Sequence, residues 1–495
     1  MVMGLGLHGG GLESARFLLK RGADVTVTDL RDEKTLSPAI EQLDKFCIES
    51  GKKPVRYILG KHDIDDFKNA DIVIKNPGVK PDSPFLQAAK KIETDISLFL
   101  SQSPSRLSAV TGTKGKSGTA SALHWILSAS RKNDSRFPVS GNAFLGGNIT
   151  VSPLSFLDEL TENDDVVLEL SSFQLGDIKN CGISPLKPKA AILTSIMSDH
   201  LDRYASMNEY INDKRNIYRG QDSSCVTIAG DDEWGKSFLS QTKGRPLVCS
   251  LNPLGEKTSG GWINPDGRGY ARFYGFGGAE SKDGEIIELV PENLLTPGFH
   301  QRQNMLSAAL AAYSLGVSAQ AIRSALESFP GIEHRLELFH TIKRKNMTFQ
   351  FYNDSAATIP EAAAACIQAL SQKGTAEAVG CLILVTGGTD KNLDFSPLAK
   401  EAGKAAEIIL LAGTGSEKLA LLLAENNISY NGPFDNLDEA VSCAVKKAEN
   451  HKSAGGICCT ALSPGCASFG MFLNEFDRGR KWKEAVLRMT DNFVY

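Results

Sequence analysis

Leu107-Ser108-Ala109-Val110 runs into Thr111-Gly112-Thr113-Lys114-Gly115-Lys116-Ser117, which reads as a strand entering a glycine turn and leaving it as a helix that continues through Leu127. In that setting, backbone N–H groups and a helix N-terminus can wrap phosphate oxygens. Lys116 is placed to reach the β- and γ-phosphates of ATP, and the Ser117 hydroxyl to ligate Mg²⁺. Gly112, Thr113, Lys114 and Gly115 complete the expected nucleotide loop. The full G-x-x-x-x-G-K-[ST] pattern is not met, because Val110 fills its first position. A ligand-free glycine turn is the alternative, and a Gly-Lys-Ser run at a helix start speaks against it.

Downstream, a predicted strand over 166–170 puts Glu169 at its C-terminal edge, where α/β sites assemble and a carboxylate can bind Mg²⁺. His200, in Asp199-His200-Leu201-Asp202-Arg203-Tyr204, follows a strand over 190–194 at an equivalent edge, although a lone histidine is more often structural. From 251 to 284 glycines alternate with Tyr, Phe and Trp, a pattern for hairpins on an edge of the middle domain. An alanine-rich helix over 304–315 follows, and Phe329-Pro330-Gly331 punctuates the chain. Strands over 349–353, 381–386, 408–412 and 457–461 then alternate with helices, predicting a second mostly parallel sheet.

Upstream, a strand within 1–5, a glycine turn over 4–11, a helix through Lys20 and a strand over 24–28 form a βαβ opening, extended by strands over 56–59 and 71–75. The leading strand is short, so the expectation is a start lying upstream of Met1. Gly4-Leu5-Gly6-Leu7-His8-Gly9 fits the dinucleotide fingerprint with Asp29 ending the next strand, which alone suggests NAD. Any nucleotide diphosphate can use the same turn, and a packing turn without ligand is a further alternative. With a linker at 101–105, the reading is an α/β protein of three domains. They are a Rossmann-like domain over 1–103, a central P-loop ATPase-type domain with a mostly parallel sheet over 104–330, and a Rossmann-like domain over 331–495.

Composition agrees. A chain of 495 residues holds about three domains at roughly 150 residues each. A net charge of −4 without a Lys/Arg block excludes a nucleic-acid-neutralising surface and favours a small polar or anionic substrate. The ten cysteines lack C-x-x-C spacing and read as reduced thiols of a cytoplasmic protein. The apolar runs at 381–385 and 408–412 are far shorter than a membrane span, and no secretory signal opens the chain.

These pieces together resemble the Mur ligases of peptidoglycan synthesis, and within them those that add D-glutamate. The resemblance runs through essentially the whole chain. It rests on the Gly4 turn, the Thr111 loop, Glu169 with Ser171-Ser172-Phe173-Gln174-Leu175, the His200 run, Pro297-Gly298-Phe299-His300 and His334-Arg335. Asn353-Asp354-Ser355, Gly387-Gly388-Thr389-Asp390-Lys391 and Leu462-Ser463-Pro464 to Phe472 favour the D-glutamate group.

The resemblance implies an ATP-dependent amide ligase joining D-glutamate to UDP-N-acetylmuramoyl-L-alanine through an acyl phosphate, in cell-wall biogenesis and hence cell shape and division, as a monomer with two Mg²⁺ ions. It assigns Gly6, His8, Asp29, Arg31, Asn76 and Gly78 to the UDP end of the substrate, and Asn148, Ser171 and His200 to its muramoyl end. Asn304, Arg335 and Asp354 would grip the nucleotide. Thr358, Lys391, Ser468 and Phe469 would form the D-glutamate pocket, Lys391 supplying the cation an anionic amino acid needs. Lys214 matches a carbamylated lysine that acts, with Ser117, Glu169 and His200, at the metal ions. Lys116, Glu169, His200 and Lys214 are the expected catalytic set.

Four positions depart from the pattern. Ala356-Ala357-Thr358-Ile359 stands where Lys-Ala-Thr-Asn is usual, removing a cation; Gln301 replaces an asparagine, and Gly118 a threonine. Other readings are another Mur ligase, a folylpolyglutamate synthase-like ligase, against which the hundred or so residues before the Thr111 loop argue, and an NAD-dependent oxidoreductase built on the Gly4 turn.

Overall fold

The computed structural model describes residues 1–6, 10–133, 141–149, 151–182, 184–197, 203–275, 283–296, 298–344, 347–371, 381–450, 456–468 and 470–491. The chain forms two compact units, Met1–Asn293 with Phe299–Glu327, and Leu294–Gly298 with Ser328–Tyr495.

The first unit holds two sheets. Its N-terminal sheet has five parallel strands in the order Arg56–Leu59, Thr26–Asp29, Val2–Met3, Val73–Lys75, Ile92–Glu93. Val2, Val27 and Ile74 pack on one side with Leu12, Ala15 and Leu19 of helix Gly10–Lys20 and Leu36 and Leu43 of helix Glu33–Glu49. The opening strand is two residues long, and the helix starts after the glycine turn as the sequence predicts.

The central sheet has nine strands in the order Ile287–Val290, Gly269–Arg272, Gly260–Ile263, Arg245–Ser250, Val226–Gly230, Ala190–Leu193, Arg106–Thr111, Asp165–Glu169, Ala143–Gly147. The last seven run parallel. The Gly- and aromatic-rich stretch supplies antiparallel strands at one edge, as expected from its composition. Strand Arg106–Thr111 lies between Ala190–Leu193 and Asp165–Glu169, with Val110 in register with Glu169 and Thr111 with Leu193. Three strand ends therefore meet at one point. Lys75 and Asp177, both almost fully buried, form a 2.5 Å ion pair between strand Val73–Lys75 and helix Ser172–Ile178.

The second unit has one six-stranded sheet in the order Glu337–Arg344, Met347–Asn353, Ile457–Leu462, Cys381–Thr386, Glu407–Leu411, Asn431–Phe434, parallel except for its first pair. Alternate residues of strand Cys381–Thr386 serve separate cores. Ile383 and Val385 face helices Leu437–Asn450 and Glu475–Thr490, while Leu382 and Leu384 face helices Pro360–Leu370 and Ser396–Ala402. Both faces of the strand are apolar because both are covered, the usual signature of a parallel sheet. Among the described residues, no helix is long and apolar enough to cross a membrane.

Candidate active site

The Thr111 loop leaves its strand at the central sheet's C-terminal edge and enters helix Lys116–Asn133. Two of its glycines have no substitute. Gly112 sits at φ 149°, where a Cβ would lie 2.0 Å from Thr194 Oγ1, and Gly115 sits at φ 86°, where a Cβ would meet Asn304 Oδ1 at 2.5 Å. Helix Phe299–Ser314 thus presses Asn304 against the loop. The same contact explains two departures from the family pattern. At Gly118 a Cβ would come within 2.9 Å of Asn304 Nδ2 and 3.3 Å of Gln301 Oε1, and those two side chains are themselves hydrogen-bonded at 3.3 Å. A smaller residue on one helix accommodates a longer one on the other.

Lys116 Nζ bends back to donate to the carbonyls of Gly112 (3.1 Å) and Thr113 (3.0 Å). Thr113 is fixed on its other side, its hydroxyl 2.8 Å from Tyr210 OH and accepting from Met197 N at 3.0 Å. Lys214, which composition alone makes a surface residue, ends helix Met207–Lys214 with 1% of its area exposed. Its Nζ donates to Gly112 O at 2.9 Å and stands 4.5 Å from the centre of the Tyr210 ring.

Glu169 is also 1% exposed. Its Oε1 accepts from Asn148 Nδ2 at 2.9 Å, whereas its Oε2 has no hydrogen-bond partner among the described residues. A buried carboxylate oxygen without a partner is costly, and this one belongs to the strand adjacent to the phosphate loop. A carboxylate oxygen here and the Ser117 hydroxyl at the start of helix Lys116–Asn133 would make an all-oxygen donor pair, which suits a hard divalent cation such as Mg²⁺. Ser171 caps helix Ser172–Ile178 through a reciprocal pairing with Gln174, whose Oε1 accepts from Ser171 N at 3.0 Å while Gln174 N donates to Ser171 Oγ at 3.2 Å. This is the local reason for the Ser-Ser-Phe-Gln-Leu run.

At the edge of the N-terminal sheet, Gly6, Asp29, Asn76 and Gly78 come together. Asp29 Oδ2 accepts from Gly6 N (3.3 Å) and Oδ1 from Arg31 N (3.0 Å), so the carboxylate braces the glycine turn. Asn76 Oδ1 accepts from Gly78 N at 3.0 Å, and the Asn76 side chain lies against Gly4. Arg31 points to solvent. Arg203 latches the neighbouring turn. Its guanidinium donates to the carbonyls of Pro77, Gly78 and Val79 at 2.9 to 3.1 Å and lies 3.7 Å over the Phe173 ring, tying this turn to the central domain. The Asn-Pro-Gly turn and a nearby arginine were visible in the sequence, but nothing there pairs them.

In the second unit, Arg335 is exposed between two left-handed residues, His334 (φ 65°) and Leu336 (φ 45°). The turn is held from both sides. Asn353 Nδ2 donates to His334 Nδ1 (2.8 Å) and Glu337 Oε2 (3.0 Å), and Asp354 Oδ1 accepts from Leu336 N (3.0 Å). Burial pushes the Asp354 carboxyl up to about 7, and its other oxygen takes the Ser463 hydroxyl at 2.6 Å. Glu333, His334 and Glu337 cluster closely enough to bind a metal. Lys483 already neutralises both glutamates at 3.2 and 2.6 Å, which makes the cluster a brace for the turn. Lys391 is exposed, Thr358 half-buried and Ser468 buried, on three adjoining loops. His8, His200 and Phe469 lie outside the described residues.

A parallel sheet whose strand ends gather a phosphate loop and a buried orphan carboxylate defines a nucleotide-dependent phosphoryl-transfer enzyme. The comparisons narrow the class. Residues 1–97 match the model of the Mur ligase MurD-like N-terminal domain and residues 110–312 that of the Mur ligase middle domain. The chain is 36% identical to the UDP-N-acetylmuramoylalanine--D-glutamate ligase of Treponema pallidum, over 98% of this chain and 96% of that one. It is 38% identical to the ligase of the same name from Borreliella burgdorferi, over 98% and 97%. Among solved structures it is similar to the UDP-N-acetylmuramate-alanine ligase of Thermotoga maritima, with a TM-score of 0.56 at 19% identity over 99% of both chains. The chain belongs to the Mur ligase family, whose members use ATP.

Proposed function

We propose that this protein joins D-glutamate to UDP-N-acetylmuramoyl-L-alanine at the expense of ATP, as a step of peptidoglycan synthesis. The observation that carries this reading is full-length identity of 36 to 38% to D-glutamate ligases, in a chain that keeps the phosphate loop beside a buried, orphaned Glu169. Residues 1–103 would hold the UDP end, 104–330 the ATP and 331–495 the amino acid, the whole working as a cytoplasmic monomer.

In the reaction, a substrate carboxylate oxygen bonds to the γ-phosphorus of ATP as the bond to the ADP oxygen breaks. The D-glutamate nitrogen then bonds to the acyl carbon, phosphate departs and the amine releases a proton. No protein nucleophile is needed, so the chain contributes position and charge. Backbone N–H groups of the Thr111 loop wrap the phosphates. Lys116 exchanges its two loop carbonyls for phosphate oxygens, meeting the charge that builds during transfer. Asn148 orients Glu169, whose free Oε2 would hold Mg²⁺ with Ser117, and His200 and a Lys214 carbamate would hold a second ion. Bound there, Mg²⁺ neutralises phosphate charge. Lys214 forms its carbamate by adding CO₂ at the neutral amine and losing a proton. Asn304, Arg335 and Asp354 would position the nucleotide, and Thr358, Lys391, Ser468 and Phe469 the amino acid.

The test is ADP release with UDP-N-acetylmuramoyl-L-alanine against a panel of D- and L-amino acids. D-glutamate should be the strongest stimulant. A clear preference for another amino acid would replace this reading with that of a different Mur ligase.

A further inference from the structure

Arg478 stands in the first turn of helix Glu475–Thr490 and is 1% exposed. Its guanidinium donates only to neutral oxygens. Nε reaches the Ser355 hydroxyl at 3.0 Å, Nη2 the Ser355 carbonyl at 2.9 Å, and both Nη atoms the Cys466 carbonyl at 3.2 Å. Among the described residues no carboxylate forms an ion pair with it. Buried charges are ordinarily paired, because leaving water without a counter-ion is expensive. Burial lowers the guanidinium to about 10, so it stays charged at neutral pH.

The two residues it holds belong to separate loops. Ser355 precedes Ala356, Ala357 and Thr358; Cys466 precedes Ala467 and Ser468. A third loop joins them. Gly387 N donates to Pro464 O at 2.8 Å, and Thr389 and Ala467 exchange two backbone hydrogen bonds of 3.2 and 3.0 Å. Gly465 N donates to Ala357 O at 2.8 Å, closing the frame. Gly387, Gly388, Ala412, Ser468, Phe472 and Arg478 bound a small cavity. A Cβ on Gly388 would lie 2.7 Å from Ala467 O and 3.8 Å from Arg478 Nη1, so little beyond glycine separates the cavity from the guanidinium.

We propose that Arg478 is a specificity-determining positioning residue for the amino-acid substrate. Its buried charge, which Glu475 offsets only from beyond ion-pair distance, lies behind the pocket framed by these three loops and favours a substrate with a side-chain carboxylate, while its hydrogen bonds keep the Ser355 and Cys466 loops in register. This rests on the D-glutamate reading and deepens it, since Ala356 contributes no charge to the same frame. Lys391, exposed to solvent, gives a screened contribution, whereas a buried charge acts through less water.

The experiment measures ADP release by the full chain, varying D-glutamate, its neutral isostere D-glutamine, ATP and the UDP substrate in turn. In Arg478→Met the ratio of kcat/KM for D-glutamate over D-glutamine should fall by about ten-fold, with the KM of ATP and of the UDP substrate unchanged. Arg478→Lys keeps the charge and loses the forked hydrogen bonds, so both amino acids should show raised KM while their ratio is preserved. An unchanged ratio in a folded Arg478→Met protein, or a collapsed ratio in Arg478→Lys, would overturn the proposal. The lysine variant alone decides if the methionine one does not fold. Wild-type protein that ignores D-glutamate would instead refute the function proposed above.

Discussion

The central and N-terminal sheets of the first unit each end a strand in a glycine turn that opens a helix, yet the side chains around the two turns differ in one respect. At the N-terminal turn both Asp29 oxygens are consumed by backbone N–H groups, of Gly6 and Arg31. At the central turn Glu169 keeps one buried oxygen without a partner among the described residues, and Lys116 and Lys214 lean on loop carbonyls. The first arrangement is complete and suits holding a diphosphate that does not react. The second has valence to spare, and groups held that way can change partners during chemistry. Backbone shape makes both turns receptive to phosphate; on the proposed reading, the buried Glu169 oxygen marks the one where bonds break.

That contrast is open to attack by substitution. Lys116→Ala should lower substrate-dependent ADP release by about a thousand-fold, the upper range for losing a preorganised charge donor, with the melting temperature unchanged. Retention of turnover would remove the distinction between the turns. Glu169→Gln keeps the Asn148 contact geometry but loses the charge, and should cost about a hundred-fold in kcat. It should also melt no lower than wild type, because an orphan buried anion has been made neutral. Asp29→Asn should raise KM for the UDP substrate by under about ten-fold, roughly one charged hydrogen bond, and leave kcat alone. A kcat loss as large as that of Glu169→Gln would mean that the N-terminal turn also takes part in the chemistry.

The smallest effect concerns a third strand-end carboxyl, in the second unit. Asp354 is raised to about 7 by burial, against roughly 3.9 in the unfolded chain. A raised native value means the folded state holds its proton more tightly, so this contribution to stability is complete below about pH 4 and is lost as pH climbs toward 7. The difference in melting temperature between wild type and Asp354→Asn should therefore shift against wild type by a few degrees between these pH values. A constant difference would mean that the fold does not hold the Asp354 proton more tightly than the unfolded chain does.

Much of this was legible in the sequence because glycine and apolar runs are local signals. The Thr111 loop, the strand ending at Glu169 and the antiparallel edge over Gly260–Ile263 and Gly269–Arg272 fall where expected. Helix Asp95–Gln102 occupies part of the stretch read as a linker, because its Thr94 cap pairs with Ser97 and its apolar face finds the core through Ile96 and Phe99. Strand Ala143–Gly147 was not anticipated, since two of its five residues are glycine and it forms only when laid beside Asp165–Glu169. The burial of Lys214 could not be read from Met207-Asn208-Glu209-Tyr210-Ile211-Asn212-Asp213-Lys214, a mostly polar helix. The Arg203 latch and the Arg478 frame depend on carbonyl groups, which have no sequence signature at all.

Helix Phe299–Ser314 and helix Ala319–Glu327 return to the first unit after the chain has visited the second. Trp125, on the helix that follows the phosphate loop, donates its indole N–H to Ala325 O across 200 residues of chain. On a ribosome adding about 5 to 20 residues per second, that partner is roughly ten to forty seconds behind. During that interval the nascent loop has its glycines but not the Asn304 that presses on them, so nucleotide capture by the emerging polypeptide should begin only after residue 327 has cleared the exit tunnel.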